Sequence, residues 1–87
     1  MKVKVSIYAT SACPYCVAAE RLLIAKGVSE ITKIRVDLDV EKRIEMMQRT
    51  GRRTVPQIYI DQLHVGGYDD LSALDRAGKL DSLLQGL

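Results

Sequence analysis

The fold is decided by one stretch near the N-terminus, VKVSIYATSACPYCVAAERLLIAKG, residues 3–27. Its first half alternates apolar and polar side chains, which is typical of a strand with one strongly apolar face. A helix is predicted from Pro14 to Lys26, because proline fits the first turn, where its missing N–H has no partner to lose. Gly27 provides a stop for that helix. The only two cysteines of the chain, Cys13 and Cys16, stand where the strand segment passes into the helix.

This position predicts thiol–disulfide chemistry for the cysteine pair. With Cys13 as the helix N-cap, the backbone N–H groups of Tyr15 and Cys16 point toward its sulfur, and the helix dipole adds positive potential. Both effects favour the thiolate, so Cys13 is predicted to be the nucleophile. Cys16 lies one turn further along and is expected to be more buried, which makes it the resolving thiol. Two thiols that served only as small core side chains would not need a helix cap.

Composition narrows the remaining possibilities. The 87 residues are expected to form a single domain over residues 1–87, with a net charge of +2 and no basic stripe that would indicate nucleic-acid binding. The longest apolar run, Leu22 to Ala25, is far below the ~18 residues that a membrane span needs. The N-terminus has the pattern of a strand and not that of a signal peptide, so a cytoplasmic location is expected. Paired thiols there are more often catalytic or metal-binding than structural.

Metal binding is the weaker of those two options. A closed zinc site takes four ligands, and His64 is the only histidine that could join the two cysteines. A lone histidine is more often a surface or packing residue. An iron–sulfur cluster would need ligands from outside or from a second chain. No metal ligand is therefore predicted.

The rest of the chain continues the alternation of strands and helices. A second strand is predicted where Ile34, Val36 and Leu38 alternate with charged residues. A helix from Val40 to Thr50 follows, capped by Asp39, ended by Gly51, and with Ile44 and Met47 facing inward. These helix and strand segments form one βαβ unit, whose two strands should be parallel with a right-handed crossover.

The C-terminal half is predicted to add a hairpin and further helix. Strands are expected at Gln57–Ile60 and Leu63–Val65, joined by a tight turn. A helix should start at Asp69 or Asp70 and run to about Ala77, followed by one amphipathic turn. The predicted fold class is therefore α/β, with a four-stranded mixed sheet flanked by helices.

A second candidate site is the segment from Gly66 to Asp70, where flexible backbone precedes a helix N-terminus. Helix-start N–H groups can bind a carboxylate and an aspartate can bind an ammonium, so the segment could hold an amino-acid head group. A glycine turn with aspartate capping of the helix explains the same residues. The residues alone leave both interpretations open, and they do not decide whether the Val55–Pro56 bond is cis.

Three motifs in this order resemble the glutaredoxins: Cys-Pro-Tyr-Cys at 13–16, Arg-Thr-Val-Pro-Gln-Ile at 53–58, and Gly-Gly-Tyr-Asp-Asp-Leu at 66–71. The resemblance covers essentially the whole chain and is closest to the small bacterial-type dithiol members. It implies a thioredoxin fold with a cis Pro56 facing the cysteines.

The resemblance also implies a groove for glutathione, which would be a co-substrate and not a bound cofactor. In that groove the Val55 backbone pairs with the cysteinyl part of glutathione. The γ-glutamyl end meets the Asp69 backbone and the Asp70 side chain, and Gln48 lies near the glycine carboxylate. The remaining residues of the implied glutathione site are Tyr15, Thr54, Pro56 and Gly67.

Two positions depart from the family pattern. Thr10 stands where members usually carry a lysine or arginine three residues before the first cysteine, and Arg52 or Arg53 could supply that positive charge instead. Tyr68 stands where many members have a third cysteine, and its ring could line the groove or simply pack.

The expected function is that of a glutathione-dependent thiol–disulfide oxidoreductase, a monomer that reduces glutathionylated and disulfide-bonded proteins. One alternative is an electron donor to ribonucleotide reductase that is itself reduced by thioredoxin reductase. The Asp69–Asp70 pair argues against it, because such a donor needs no glutathione groove. Another alternative is a carrier in which two chains and two glutathiones share an iron–sulfur cluster through Cys13. In this family Pro14 is unfavourable for that role.

Overall fold

The computed structural model describes residues 3–85. Lys2 of the predicted first strand and the two ends of the expected 1–87 domain lie outside them. The elements in chain order are β1 (Val5–Ala9), α1 (Pro14–Ala25), β2 (Ile31–Arg35), α2 (Val40–Thr50), β3 (Gln57–Ile60), β4 (Leu63–Gly66), α3 (Tyr68–Arg76) and α4 (Leu80–Leu84). The strands form one sheet in the order β2-β1-β3-β4.

The sheet is mixed, as predicted. β1 pairs with β2 in parallel, and β3 pairs with both β1 and β4 in antiparallel fashion. Helices cover both faces of this sheet, which confirms the α/β class and the arrangement of the thioredoxin fold. β1 is an interior strand of this sheet, and the cysteine segment follows it directly. The two cysteines therefore lie near the C-terminal end of β1.

Two apolar clusters form the core, one on each face of the sheet. The larger cluster joins the sheet to α1, α3 and α4 through buried side chains, among them Ile7, Leu23, Ile58, Leu71 and Leu80. The smaller cluster lies under α2 and consists of Tyr8, Val36, Met46 and Tyr59. Both faces of β1 are therefore buried, which the alternating pattern at its start did not predict.

The α2 helix has the predicted ends. The Asp39 carboxylate accepts hydrogen bonds from the backbone N–H groups of Glu41 at 3.0 Å and Lys42 at 3.3 Å, and Gly51 ends the helix with φ of +70°. Ile44 was predicted to face the core, and this was wrong, because its side chain is exposed and Met46 is the fully buried residue of the helix. Two residues apart on a helix are separated by about 200° around its axis, so both cannot face the sheet.

The second strand lies earlier than predicted. β2 ends at Arg35, and Leu38, which was expected to continue it, is 75% exposed. Val36 is still buried and its N–H donates to the Ala9 carbonyl at 3.0 Å. The chain turns over residues 36–38, and within this turn the Asp37 carboxylate accepts two hydrogen bonds from the Arg35 guanidinium at 2.6 and 2.7 Å.

Smaller differences occur at other ends. β1 runs from Val5 to Ala9 and so begins after Val3, and α1 stops at Ala25, one residue before the predicted Lys26. The hairpin is as predicted, apart from one more residue in β4. The α3 helix begins at Tyr68, earlier than predicted, with Gly67 as its N-cap. Asp70 caps it from the N3 position, where its carboxylate accepts the Gly67 N–H.

Candidate active site

The two cysteines meet at the N-terminus of α1. Cys13 is the N-cap residue with extended backbone angles, and its sulfur accepts a hydrogen bond from the Cys16 N–H at 3.1 Å. Within residues 3–85, the expected second donor, the Tyr15 N–H, makes no such bond to this sulfur. The two Cα atoms are 5.2 Å apart and the sulfurs form a disulfide. Cys16 is buried whereas Cys13 is partly exposed, so only one sulfur is open to a substrate.

The segment that precedes β3 packs against this disulfide. The Val55–Pro56 peptide bond is cis, as the family resemblance implied. The Cys13 sulfur lies 3.9 Å from the Val55 carbonyl oxygen. In the disulfide this sulfur carries no proton, so the contact is one of packing and not a hydrogen bond. Val55 therefore places backbone polar groups directly beside the reactive sulfur.

An open cavity of about 220 Å³ lies next to this segment. Its walls are formed by Tyr15, Arg52, Thr54, Val55, Pro56, Gly67, Tyr68, Asp69 and Asp70. The structure thus brings together every residue of the predicted glutathione site except Gln48, which is exposed on α2 and does not line the cavity. The volume is below the ~300–1,000 Å³ of typical small-molecule sites, so it suits only part of a tripeptide.

A larger cavity of about 710 Å³ lies at the other ends of β1 and α1. It is bordered by Val3, Lys26 and Asp81 among others, and neither cysteine contributes to it. We therefore take the smaller cavity as the candidate active site. Of the two cavities it is the one lined by Val55, whose carbonyl oxygen lies against the Cys13 sulfur.

Asp70 is one of the two aspartates that line the smaller cavity, and its carboxylate is held by two hydrogen bonds. Its Oδ2 accepts hydrogen bonds from the Gly67 N–H at 2.9 Å and from the Arg52 guanidinium at 3.0 Å. The Gly67 N–H, and after it Arg52, lowers the pKa of Asp70, so the carboxylate is ionised at neutral pH. Of the two arginines considered as replacements for the basic residue missing at Thr10, Arg52 lines the cavity and Arg53 does not.

Gly66 makes room for this ion pair. Its φ is +113°, a conformation that residues with a side chain rarely adopt, and a Cβ atom there would collide with the Asp70 carboxylate. The same Cβ would come within 3.0 Å of the Arg52 Nη1 atom. The glycine at the end of β4 is therefore a requirement of the site and not only of the turn.

Two tyrosines form the aromatic part of the cavity wall. The rings of Tyr15 and Tyr68 have centroids 6.1 Å apart and are tilted by 34°. Tyr15 is 63% exposed, while Tyr68 packs partly against the larger core cluster. Tyr68 therefore does both things that the sequence allowed: it packs against the core and it lines the cavity.

An ion pair braces the loop before Cys13. The Asp37 carboxylate accepts from the Ser11 N–H at 3.2 Å while it is held by Arg35. Hydrogen bonding by Arg35, with a smaller part from the Ser11 N–H, places the pKa of Asp37 well below its usual range. This carboxylate therefore links the backbone of the loop before Cys13 to the end of β2.

Two further observations concern the described residues alone. Residues 3–85 contain no group of three or more histidine, cysteine or acidic side chains placed to hold a metal ion. No helix among them is both long and apolar enough to cross a membrane.

Known glutaredoxins match this chain in both sequence and fold. The glutaredoxin family model matches residues 5–65. Glutaredoxin 3 of Escherichia coli K12 is 53% identical over 81 residues, which cover 93% of this chain and 96% of the relative.

Two solved structures show the same likeness. The solution structure of glutaredoxin from Brucella melitensis has a TM-score of 0.83 and 52% identity, covering 95% of this chain and 89% of that one. The crystal structure of buckwheat glutaredoxin in complex with glutathione has a TM-score of 0.87 and 28% identity, covering 97% and 78%. The predicted family is thereby confirmed: the chain belongs to the glutaredoxins and is a thiol–disulfide oxidoreductase.

Proposed function

We propose that this glutaredoxin uses glutathione to reduce two kinds of target, mixed disulfides between glutathione and proteins, and disulfides within proteins. Cys13 is the nucleophile and Cys16 the resolving thiol. The observation that carries this assignment is the position of the Cys13 sulfur, which caps α1, accepts the Cys16 N–H at 3.1 Å, and is the more exposed of the two. A helix N-terminus with an N–H donor at the sulfur stabilises the anion that attacks.

The cavity beside Cys13 supplies the groups that a glutathionyl moiety needs. Glutathione is a γ-glutamyl peptide, so one end carries an ammonium and a carboxylate. We assign the ammonium to the anionic Asp70 and the carboxylate to the Asp69 N–H at the start of α3. The Val55 backbone pairs with the cysteinyl part. Gln48 does not line the cavity, so in this proposal it contacts the glycine carboxylate of glutathione outside the cavity.

The first reaction needs only Cys13. Its thiolate attacks the glutathione sulfur of the mixed disulfide, the protein thiolate leaves and takes up a proton, and Cys13 now carries glutathione. A second glutathione thiolate attacks that glutathione sulfur. This step releases oxidised glutathione and restores the Cys13 thiolate.

The second reaction needs both cysteines. Cys13 attacks a protein disulfide and forms a mixed disulfide with the target. Cys16 loses its proton and attacks the Cys13 sulfur, which releases the target thiol and leaves the Cys13–Cys16 disulfide of the structure. Two glutathiones then reduce that disulfide and leave as one molecule of oxidised glutathione.

Single cysteine variants test these roles. Cys13→Ser should abolish both reactions, while Cys16→Ser should keep deglutathionylation and lose the reduction of protein disulfides. Rates would be measured with glutathione and glutathione reductase on a glutathionylated peptide and on a disulfide-bonded protein. Equal loss of deglutathionylation in both variants would contradict the assignment. Turnover with thioredoxin reductase in place of glutathione would favour the alternative electron donor to ribonucleotide reductase.

The setting that we propose is a monomer in the cytoplasm, working in electron transfer and redox homeostasis. Glutathione and its reductase keep thiols reduced in that compartment, and glutaredoxin potentials of roughly −200 to −230 mV lie close enough to the glutathione pool to be driven by it. The targets are glutathionylated or disulfide-bonded proteins, and neither nucleic acid nor a membrane is a partner in this proposal.

A further inference from the structure

Gln57 is a buried polar side chain that the chemistry described above does not use. It lies at the start of β3 with only 1% of its surface exposed. Its Nε2 group donates to the Thr54 carbonyl oxygen at 3.0 Å and lies 3.4 Å from the Thr54 hydroxyl oxygen. Its Oε1 atom lies 2.7 Å from Nε2 of His64.

The directions of these bonds follow from the chemistry of the groups. A carbonyl oxygen can only accept, so the amide NH₂ of Gln57 faces Thr54 and its Oε1 faces His64. Oε1 is likewise only an acceptor, and therefore Nε2 of His64 carries the proton. The two side chains form a relay of fixed polarity that runs from His64 through Gln57 to the Thr54 carbonyl.

The Thr54 carbonyl is one half of the peptide unit whose other half is the Val55 N–H. This unit is planar and trans, since the cis bond is the next one along. In a trans unit the C=O and the N–H point in opposite directions. A bond that holds the Thr54 oxygen therefore also fixes where the Val55 N–H points. Within residues 3–85 that N–H has no acceptor, and Val55 lines the cavity.

We propose that Gln57 and His64 are positioning residues, which together aim the Val55 N–H at the cysteinyl part of the bound glutathionyl group. The inference rests on the proposed function and deepens it, because it assigns the orientation of the Val55 backbone to two side chains outside the cavity. Neither residue touches the substrate.

The ring of His64 is itself held from the side of α2. It stacks on the ring of Tyr59 with centroids 5.1 Å apart and an angle of 28°. The Arg49 guanidinium lies 3.9 Å from the centroid of that Tyr59 ring and donates to the Tyr8 hydroxyl at 3.0 Å. The half-buried His64 ring is thus held against the buried ring of Tyr59.

The charge state of His64 is consistent with a neutral donor. Burial, and after it the positive charge of Arg52, lowers the pKa of His64. Asp70 acts in the opposite direction and Arg49 in the same direction as Arg52. The imidazole is therefore neutral at neutral pH, and Nε2–H is the tautomer that the Gln57 bond requires.

The first arm of the test reads the tautomer. The chain has a single histidine, so ¹⁵N–¹H correlation spectra of the labelled protein report on His64 without ambiguity. We expect a protonated Nε2 and a bare Nδ1 at pH 8, and faster exchange of the Nε2 proton with water in Gln57→Leu, where that proton has lost its acceptor. A bare Nε2 in the unaltered protein would overturn the relay.

The second arm separates substrate positioning from folding. His64→Phe keeps a ring to stack on Tyr59 but removes the donor, whereas His64→Gln places an amide N–H at the same reach. For a glutathionylated peptide, His64→Phe should raise KM about three- to tenfold, the range expected for one lost neutral hydrogen bond. Its kcat should stay within twofold of the unaltered value, and His64→Gln should recover most of the loss in KM.

The comparison is completed by matched controls. Gln57→Leu should raise KM by a similar factor, and the Gln57→Leu/His64→Phe pair should cost little more than either change alone. Gln62→Leu, an exposed glutamine in the hairpin turn, should leave KM unchanged. An unaltered KM in folded His64→Phe would overturn the inference. An unaltered protein that shows no turnover of the glutathionylated peptide would overturn the proposed function instead, and the tautomer would still report on the relay.

Discussion

Replacing Gly66 by alanine would test whether this residue is required by the Asp70 ion pair or only by the turn. At φ of +113°, an L-residue stores strain of about 1–3 kcal/mol. The new Cβ would also push the Asp70 carboxylate away from the Gly67 N–H. That bond would contribute about 1.5–3 kcal/mol if it were buried. The Asp70 side chain is 45% exposed, so solvent screening reduces the expected loss to about 1–2 kcal/mol.

Gly78 offers a matched control for the backbone term. It also has a positive φ, +72°, but a Cβ there would meet nothing within 4 Å. Gly78→Ala should therefore cost only the same backbone strain, about 1–3 kcal/mol. The excess for Gly66→Ala over this control is then about 1–2 kcal/mol, or roughly 5–15 °C in Tm for a domain of this size.

Thermal and urea unfolding of the oxidised protein would measure both variants, and each change would be repeated in an Asp70→Ala background. Without the carboxylate there is nothing to displace, so the excess for Gly66→Ala should largely disappear. KM for a glutathionylated peptide should rise in Gly66→Ala and not in Gly78→Ala. Equal losses of stability at both glycines, or an excess that survives Asp70→Ala, would refute the steric argument.

Three further predictions concern the core, a helix cap and acid stability. Leu23→Ala, at a fully buried site of the larger core cluster, should lower the free energy of unfolding by about 2–5 kcal/mol. The control Ile24→Ala, at an exposed site, should lower it by less than about 0.5 kcal/mol. Similar urea midpoints for the two variants would contradict the burial of Leu23. Asp39→Ala should cost about 1 kcal/mol through loss of the α2 cap, read from the urea midpoint, and a midpoint equal to that of the unaltered protein would show that the cap is not used. The pKa of Asp70 is lowered in the folded state, so its ionisation stabilises the fold above the ordinary carboxyl pKa of ~3.9 and that contribution is lost as the pH falls through the folded pKa. The difference in unfolding free energy between the unaltered protein and Asp70→Asn should therefore shrink between pH 5 and more acidic conditions, whereas a constant difference would exclude the charge of Asp70 as its source.

Local signals in the sequence were sufficient for the elements that are stabilised locally. Asp39 and Gly51 mark the ends of α2 because a cap depends on residues within one turn. The cysteine motif likewise placed Cys13 as the N-cap of α1. Ile44 was misassigned to the core because α2 has apolar side chains on more than one face, and only the sheet position selects Met46.

Side-chain contacts between residues far apart in the chain could not be predicted from local sequence patterns. His64 was interpreted as a surface or packing residue, and nothing in its neighbourhood along the chain indicates Gln57 as partner. That pair depends on the β3–β4 register, in which His64 stands opposite Tyr59, and on the irregular step between Ile58 and Tyr59. The Arg52–Asp70 pair joins residues 18 positions apart, so the sequence could offer Arg52 only as one of two candidates.

The two outer strands of the sheet bear on how copies of this protein behave at high concentration. β2 carries Lys33 and Arg35, and Lys33 is tied to Glu20 at 2.9 Å. β4 is only four residues long, ends in Gly66, and pairs with β3 across an irregular register. Charged side chains on one rim and a short, uneven strand on the other are features that hinder a neighbouring chain from extending the sheet. The architecture thus disfavours edge-on aggregation while its reactive sulfur remains open to solvent.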